Sequence, residues 1–242
     1  MVELENKLWK KTVCYVRILQ IVPFVKMVSV CNNLAFGTVN AKSDIDLFVI
    51  AKKNRMFIAR TFITFLLHIF GARRHGNKIA GRFCLSFFVD EEAMDMSSIA
   101  IKNDIYLAYW MKSMIVLIDD GVSADFLNKN RWAERYFEDK TDFAVRNDQV
   151  IPDFFIFKAL RRMFFWMLKG KFGNAIENRL RSWQILRASK KSENAGDASS
   201  IIISDHVLKF HNIDRRRYYR GLWRKKYNDA LITEERFSRL SP

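Results

Sequence analysis

Between residues 26 and 89 the apolar residues arrive in three short runs: Lys26–Cys31 (KMVSVC), Ser43–Ile50 (SDIDLFVI) and Arg82–Val89 (RFCLSFFV). Each is too short for a stable helix and rich in β-branched or aromatic residues, so each predicts a strand. In the second run Ile45, Leu47 and Val49 alternate onto one face. The third is almost wholly apolar, as a strand covered on both sides must be. Between the second and third runs, Arg55–Phe70 carries a helical pattern that Gly71 stops. Strands interleaved with a helix of this length restrict the chain to a layered α/β arrangement.

The flanks complete that frame. Leu4, Leu8, Val13, Val16 and Leu19 recur near helical spacing over residues 3–20, and Pro23 follows. Ser97–Met111 predicts an amphipathic helix and Ser113–Ile118 a fourth, shorter strand. The expectation is an α/β (α+β) domain over residues 1–120, a small mixed sheet with flanking helices. An all-helical domain over residues 121–242 should follow. Within it, residues 154–169 form an apolar helix with a basic stripe at Lys158, Arg161, Arg162 and Lys169. The apolar remainder serves as domain core or, as the lesser reading, docks on a membrane surface. Ser189–Ser200 reads as a flexible polar loop, and His206–Phe210 and Asp214–Leu231 resume helical character.

Composition narrows the class. Half of the 242 residues are hydrophobic, too many for a disordered chain, and nine Gly with three Pro exclude low-complexity designs. The net charge of +15 is uneven: residues 1–150 contribute +4 and residues 151–242 contribute +11. Such a field draws phosphate-bearing partners or an anionic membrane, or is simply a solvated basic face. Cys14, Cys31 and Cys84 are odd in number and lack metal or disulfide spacing, which fits reduced thiols in a cytoplasmic protein. The N-terminal residues lack a signal-peptide core. No apolar run reaches the ~18 residues of a membrane span. The four His are isolated, and neither a Gly-Lys-Ser/Thr phosphate loop nor a Gly-x-Ser-x-Gly elbow is present.

The chemistry concentrates in Val28–Ile50. Asp44 and Asp46 are two apart on a strand, so both carboxylates face one way, with Phe48 and Ile50 deeper on the same side. Two like charges this close resist joint ionisation unless a cation neutralises them. Mg²⁺ suits one or two carboxylates plus phosphate oxygens. Alone, the pair could also be a solvated turn at a strand start.

Its context resembles the DNA polymerase β-type nucleotidyltransferase superfamily, above all the minimal nucleotidyltransferases. Their motif runs strand, Gly-Ser-x-Ala-x-Gly, turn, then Ser-Asp-x-Asp into a second strand. Here Asn32-Asn33 take the Gly-Ser positions, Ala35 and Gly37 fall on the small residues, and Ser43-Asp44-Ile45-Asp46 falls on the aspartate strand. The resemblance covers roughly residues 20–90 and is specific over Asn32–Ile50.

The resemblance implies transfer of a nucleoside monophosphate from a nucleoside triphosphate to an acceptor, with Asp44 and Asp46 holding Mg²⁺ or Mn²⁺. Asn32, Asn33, Gly37 and Ser43 would contact the nucleotide. The acceptor could be an RNA or a small molecule. Two departures stand out. Asn32-Asn33 replace Gly-Ser, and the family's third carboxylate, on the next strand, falls on Ser86. Asp90 is the nearest acid on that strand, either a third catalytic carboxylate or a cap ahead of Glu91-Glu92. Arg73, Arg74 or Arg82 could add positive charge. In the tail, residues 214–220 and 223–227 interleave basic and aromatic side chains, suited either to nucleic-acid contact or to packing. A catalytically degenerate module that binds nucleotide or RNA, or scaffolds a partner, is the alternative reading.

Overall fold

β2 (Ile45–Ala51) is buried at every position, and the rest of the architecture follows from covering its two faces and two edges. In the computed structural model, residues 2–137, 146, 148–192, 201–210 and 214–226 are described. β2 lies in a six-stranded sheet of order β4-β1-β2-β3-β6-β5. β1 (Val25–Cys31) pairs antiparallel with β2 and with β4 (Ile115–Asp119). β3 (Phe83–Asp90) runs parallel to β2, a geometry that requires the crossover helix α3 (Met56–Ile69). β6 (Val207–Phe210) and β5 (Ile201–Ile203) add an antiparallel hairpin to β3's outer edge.

Alternation along β2 divides the core. Ile45, Leu47, Val49 and Ala51 face the layer formed by α1 (Val2–Leu19), α3 and part of α7 (Lys171–Ser192). Phe48 and Ile50 face the other layer, with α4 (Ile105–Ser113) and α5 (Ser123–Lys129). A single turn, α2 (Asn32–Ala35), separates β1 from β2. α3 begins on a borrowed cap. The Phe57 and Ile58 amides donate to the Glu177 carboxylate of α7 at 2.9 and 2.8 Å, which satisfies groups a helix start leaves open. α6 (Phe155–Leu168) turns into α7 at a corner where a Cβ on Gly173 would stand 1.6 Å from the Leu168 carbonyl oxygen, so only glycine fits.

The expected α/β frame with its mixed sheet, followed by a largely helical stretch, is what forms. Three expectations need correction. The helix placed at Ser97–Met111 begins only at Ile105. Met96–Ile99 is a separate 3₁₀ turn, because the Asp104 side chain accepts from the Leu107 and Ile101 amides and starts α4 there. His206–Phe210, read as helical, contributes strand β6. β3's open edge offers unpaired backbone at Phe87–Val89, and pairing there buries Val207 and Leu208. The stretch after residue 121 is thus not all-helical. Ser189–Ser192, read as loop, continues α7, and residues 193–200 lie outside the described ones. A further helix, α8, spans residues 216–226, and the remainder of the expected Asp214–Leu231 helix beyond residue 226 lies outside the described residues. Among the described residues no helix is long and apolar enough to cross a membrane.

Candidate functional site

The turn between β1 and β2 sets the site's geometry. Asn32 adopts φ 57°, a left-handed conformation that asparagine accepts more readily than most residues. Its carbonyl receives the Phe36 amide at 2.8 Å and that of exposed Asn33 receives Thr38 at 2.9 Å. Gly37 has φ 68°, which a side chain would strain, although the nearest atom to an added Cβ is 4.0 Å away. Ser43 then closes the approach to β2. Its buried Oγ accepts from the Asn40 amide at 2.9 Å, and its carbonyl receives Gly81 at 2.8 Å. Asp44 and Asp46 follow where β2 starts.

Register brings three strands to one level. Asp46 pairs with Cys31 of β1 on one side and with Cys84 of β3 on the other. Oxygen and sulfur atoms of Asp44, Asp46 and Cys84 all lie within 4.8 Å of one another, a group that could hold a metal ion. Arg74 Nη1 donates to Asp44 Oδ2 at 2.7 Å and stands 3.8 Å from Cys84 Sγ. Burial, and secondarily the charge of Asp44, raise the Asp46 pKa to about 6, although Asn32, Cys84 and Arg74 oppose the shift. Burial, with the charge of Asp46, pushes the Cys84 thiol up to about 12. Cys84 therefore remains a thiol in the metal-free protein.

Two of these three donors, the carboxylates, suit a hard divalent ion. The carboxylates carry more negative charge than Arg74 alone offsets, and the protonated thiol is a poor ligand for a hard cation.

Asp46 gives the site a pH signature. Its folded pKa lies above the ordinary 3.8, so between about pH 4 and 6 the folded chain holds a proton that the unfolded chain releases. Stability of the metal-free protein should therefore fall as pH rises through that window. A divalent cation binds the ionised form, so Mn²⁺ should raise the melting temperature more at neutral pH than at about pH 5. Thermal unfolding with and without Mn²⁺ checks this. An equal Mn²⁺ effect at both pH values would remove Asp46 from the proposed metal site.

The sequence-predicted residues separate into two groups. Asp44, Asp46 and Asn32 come together, the last close enough to Asp46 to oppose the rise of its pKa. Asn33, Gly37 and Ser43 shape the adjoining turn, and the Ser43 hydroxyl is engaged within it. Asp90 does not join them. It pairs with Ala51, five residues along β2 from Asp46, or ~16 Å at strand rise. There it accepts from the Glu92 amide at 3.0 Å and meets His206 Nδ1 at 2.9 Å, so the cap reading describes it. Ser86 is not the residue beside the pair either. The ladder pairs Asp46 with Cys84, two residues before Ser86, and the register shifts only beyond that pair, between Asp46 and Phe48.

Of the three arginines, Arg74 reaches the acids. Arg73 lies near Cys84 but is also within repulsive reach of Arg60 and Arg187, and Arg82 is within repulsive reach of Lys11. The surrounding wall was not evident in the sequence. Trp110 stands close enough to Cys31 to affect its pKa, and Tyr106 is close enough to Cys31 and Asp46 for both to raise its pKa, after burial, to about 12. Tyr219 of α8 stacks on Tyr106 at 5.0 Å and 15°. The only sequence signal for this wall was the basic-aromatic mixture of the tail. A polar cleft of about 340 Å³, lined by Arg55, Glu177, Arg181 and His206 among others, lies instead beside α3 and α7.

Fold and site together define an α/β protein with a mixed six-stranded sheet and a two-aspartate group at the start of its central parallel strand. No protein-family model, curated protein or solved structure matches the chain.

Proposed function

We propose that this chain is a metal-dependent nucleotidyltransferase that moves a nucleoside monophosphate from a nucleoside triphosphate to a hydroxyl-bearing acceptor, releasing pyrophosphate. The observation that carries the reading is the Asp44/Asp46 pair at the start of β2, facing the β1–α2 turn that supplies Asn32. This arrangement accords with the resemblance to the DNA polymerase β-type superfamily. In this reading Asp44 and Asp46 hold Mg²⁺ or Mn²⁺, and the ion, when bound, neutralises triphosphate charge. Asn32 orients Asp46 and, with Asn33, offers amide donors toward phosphate. Arg74 fixes Asp44. The Tyr106–Tyr219 stack borders the site on the side that α8 closes, where an RNA end or a small-molecule acceptor would lie. Phosphoryl-type transfer depends chiefly on positioning and charge neutralisation, which such a group supplies.

One observation favours the alternative, a catalytically degenerate module that binds nucleotide without turnover. Cys84, with its thiol held protonated, stands beside the pair where a third carboxylate would be expected. Pyrophosphate release with Mg²⁺ or Mn²⁺, measured over the four nucleoside triphosphates and a panel of RNA and small-molecule acceptors, separates the two. Turnover is expected, and Asp44→Asn should lower it on the order of a hundredfold to a thousandfold. Metal-dependent nucleotide binding without turnover would select the degenerate module. Absence of that binding in the wild-type protein would sink both.

A further inference from the structure

α6 turns apolar side chains outward. Residues 155, 156, 159, 162, 163, 166 and 167 are exposed, at offsets of 0, 1, 4, 7, 8, 11 and 12, which trace one face of a helix. Apart from Ala159 and Arg162 the stripe consists of Phe155, Ile156, Met163, Trp166 and Met167. Phe155 is 82% exposed and Trp166 56%. A surface helix bathed in water ordinarily presents the reverse pattern. Nor is α6 undocked. Its other side packs Phe164 on Phe62 and Phe165 on Phe24, with ring centroids 5.4 and 5.3 Å apart. The Gly173 corner carries the surface onto α7, where Phe172 is 66% exposed. Large apolar side chains exposed repeatedly along one helix face mark an interaction surface.

Charge identifies what covers it. Residues 154–176 contain Lys158, Arg161, Arg162, Lys169 and Lys171 and no acid. Asp153 takes Arg161 at 2.9 Å and Lys158 at 3.7 Å. Among the described residues no carboxylate pairs with Arg162, Lys169 or Lys171. Lys169 instead lies over the Trp166 ring. A second copy seated on this face would oppose the three cations that no carboxylate pairs, Arg162, Lys169 and Lys171, to the same three. A bilayer of anionic lipid meets both demands, with acyl chains for the apolar stripe and phosphates for its basic margins. α6 is 14 residues, ~21 Å as a helix, too short to span and suited to lying in the interface.

We propose that α6 and the first turn of α7 form a peripheral membrane-docking surface selective for anionic bilayers. The test uses the full chain with two vesicle preparations, phosphatidylcholine alone and phosphatidylcholine mixed equally with phosphatidylglycerol. Co-sedimentation is expected with the mixed vesicles and not with the neutral ones, weakening as salt rises. Phe155→Ser and Trp166→Ser should each lower the partition coefficient about tenfold, and Lys169→Glu about fivefold or more. Because these side chains are exposed, the variants should melt with wild type. Equal binding to both vesicles, or binding to neither, would overturn the proposal. So would a dimer in sedimentation velocity that Phe155→Ser dissociates, which would make a second copy the occupant.

Discussion

Phe48→Ala is expected to lower the free energy of unfolding by about 3–5 kcal/mol. Phe48 is fully buried at the middle of the central strand, and its ring meets Phe87 at 5.0 Å, Trp110 at 5.3 Å and Phe126 at 5.6 Å. These neighbours come from β3, α4 and α5, three elements whose backbones cannot all move inward, so the cavity would stay largely open. Urea unfolding followed by far-UV circular dichroism measures the loss, and Phe48→Leu should recover most of it. A destabilisation below about 1 kcal/mol would mean that the site collapses around the smaller side chain. Phe48 also sits on the face that carries Asp44 and Asp46, two residues from the latter. The cavity should therefore loosen the carboxylates, and the Mn²⁺-dependent rise in melting temperature should shrink along with stability.

The same strand shows what the sequence could and could not convey. Alternation in SDIDLFVI assigned both faces of β2 correctly because period-two burial is a local property of extended chain. Pairing Asp44 with Asp46 needed no more than that. Their third neighbour was beyond local reading. RFCLSFFV is apolar at nearly every position, so no alternation marked which of its residues, Cys84 and not Ser86, pairs with Asp46. β6 escaped for a related reason. Four residues give no reliable period, and their conformation is set by the open edge of a strand more than a hundred residues earlier in the chain. For the helix at residues 154–169 the apolar pattern was legible, but not which face would turn outward. Contacts from Phe62 and Phe24 decided that, by taking the side bearing Phe164 and Phe165.

Arg216→Leu should undock the tail from the wall of the site. Arg216 is buried between two carboxylates. Nη2 meets Asp214 at 2.5 Å, Nη1 lies 3.5 Å from fully buried Asp104, and Nη1 also donates to the Ile99 carbonyl at 2.6 Å. Removing the guanidinium leaves both acids without that charge in a dry setting, a change that costs about 3–5 kcal/mol if the structure stays closed. Opening is the cheaper response, because α8 can leave while the sheet remains intact. Faster amide exchange is therefore expected at residues 214–226 and in α4, with β2 unchanged. Wild-type protection of α8 in the variant would count against the ion group as its anchor. Acid should act in the same direction. Burial alone would raise the Asp214 pKa, but the hydrogen bonds and charge of Arg216 bring it to about 2. Its contribution to docking is thus complete above about pH 4 and is lost as pH falls toward 2. Tyr219 stacks on Tyr106 only while α8 is docked, so the variant also separates a nucleotide site that needs this wall from one that does not. If the proposed transfer uses the wall for its acceptor, Arg216→Leu should raise the acceptor KM and leave metal-dependent triphosphate binding near wild type.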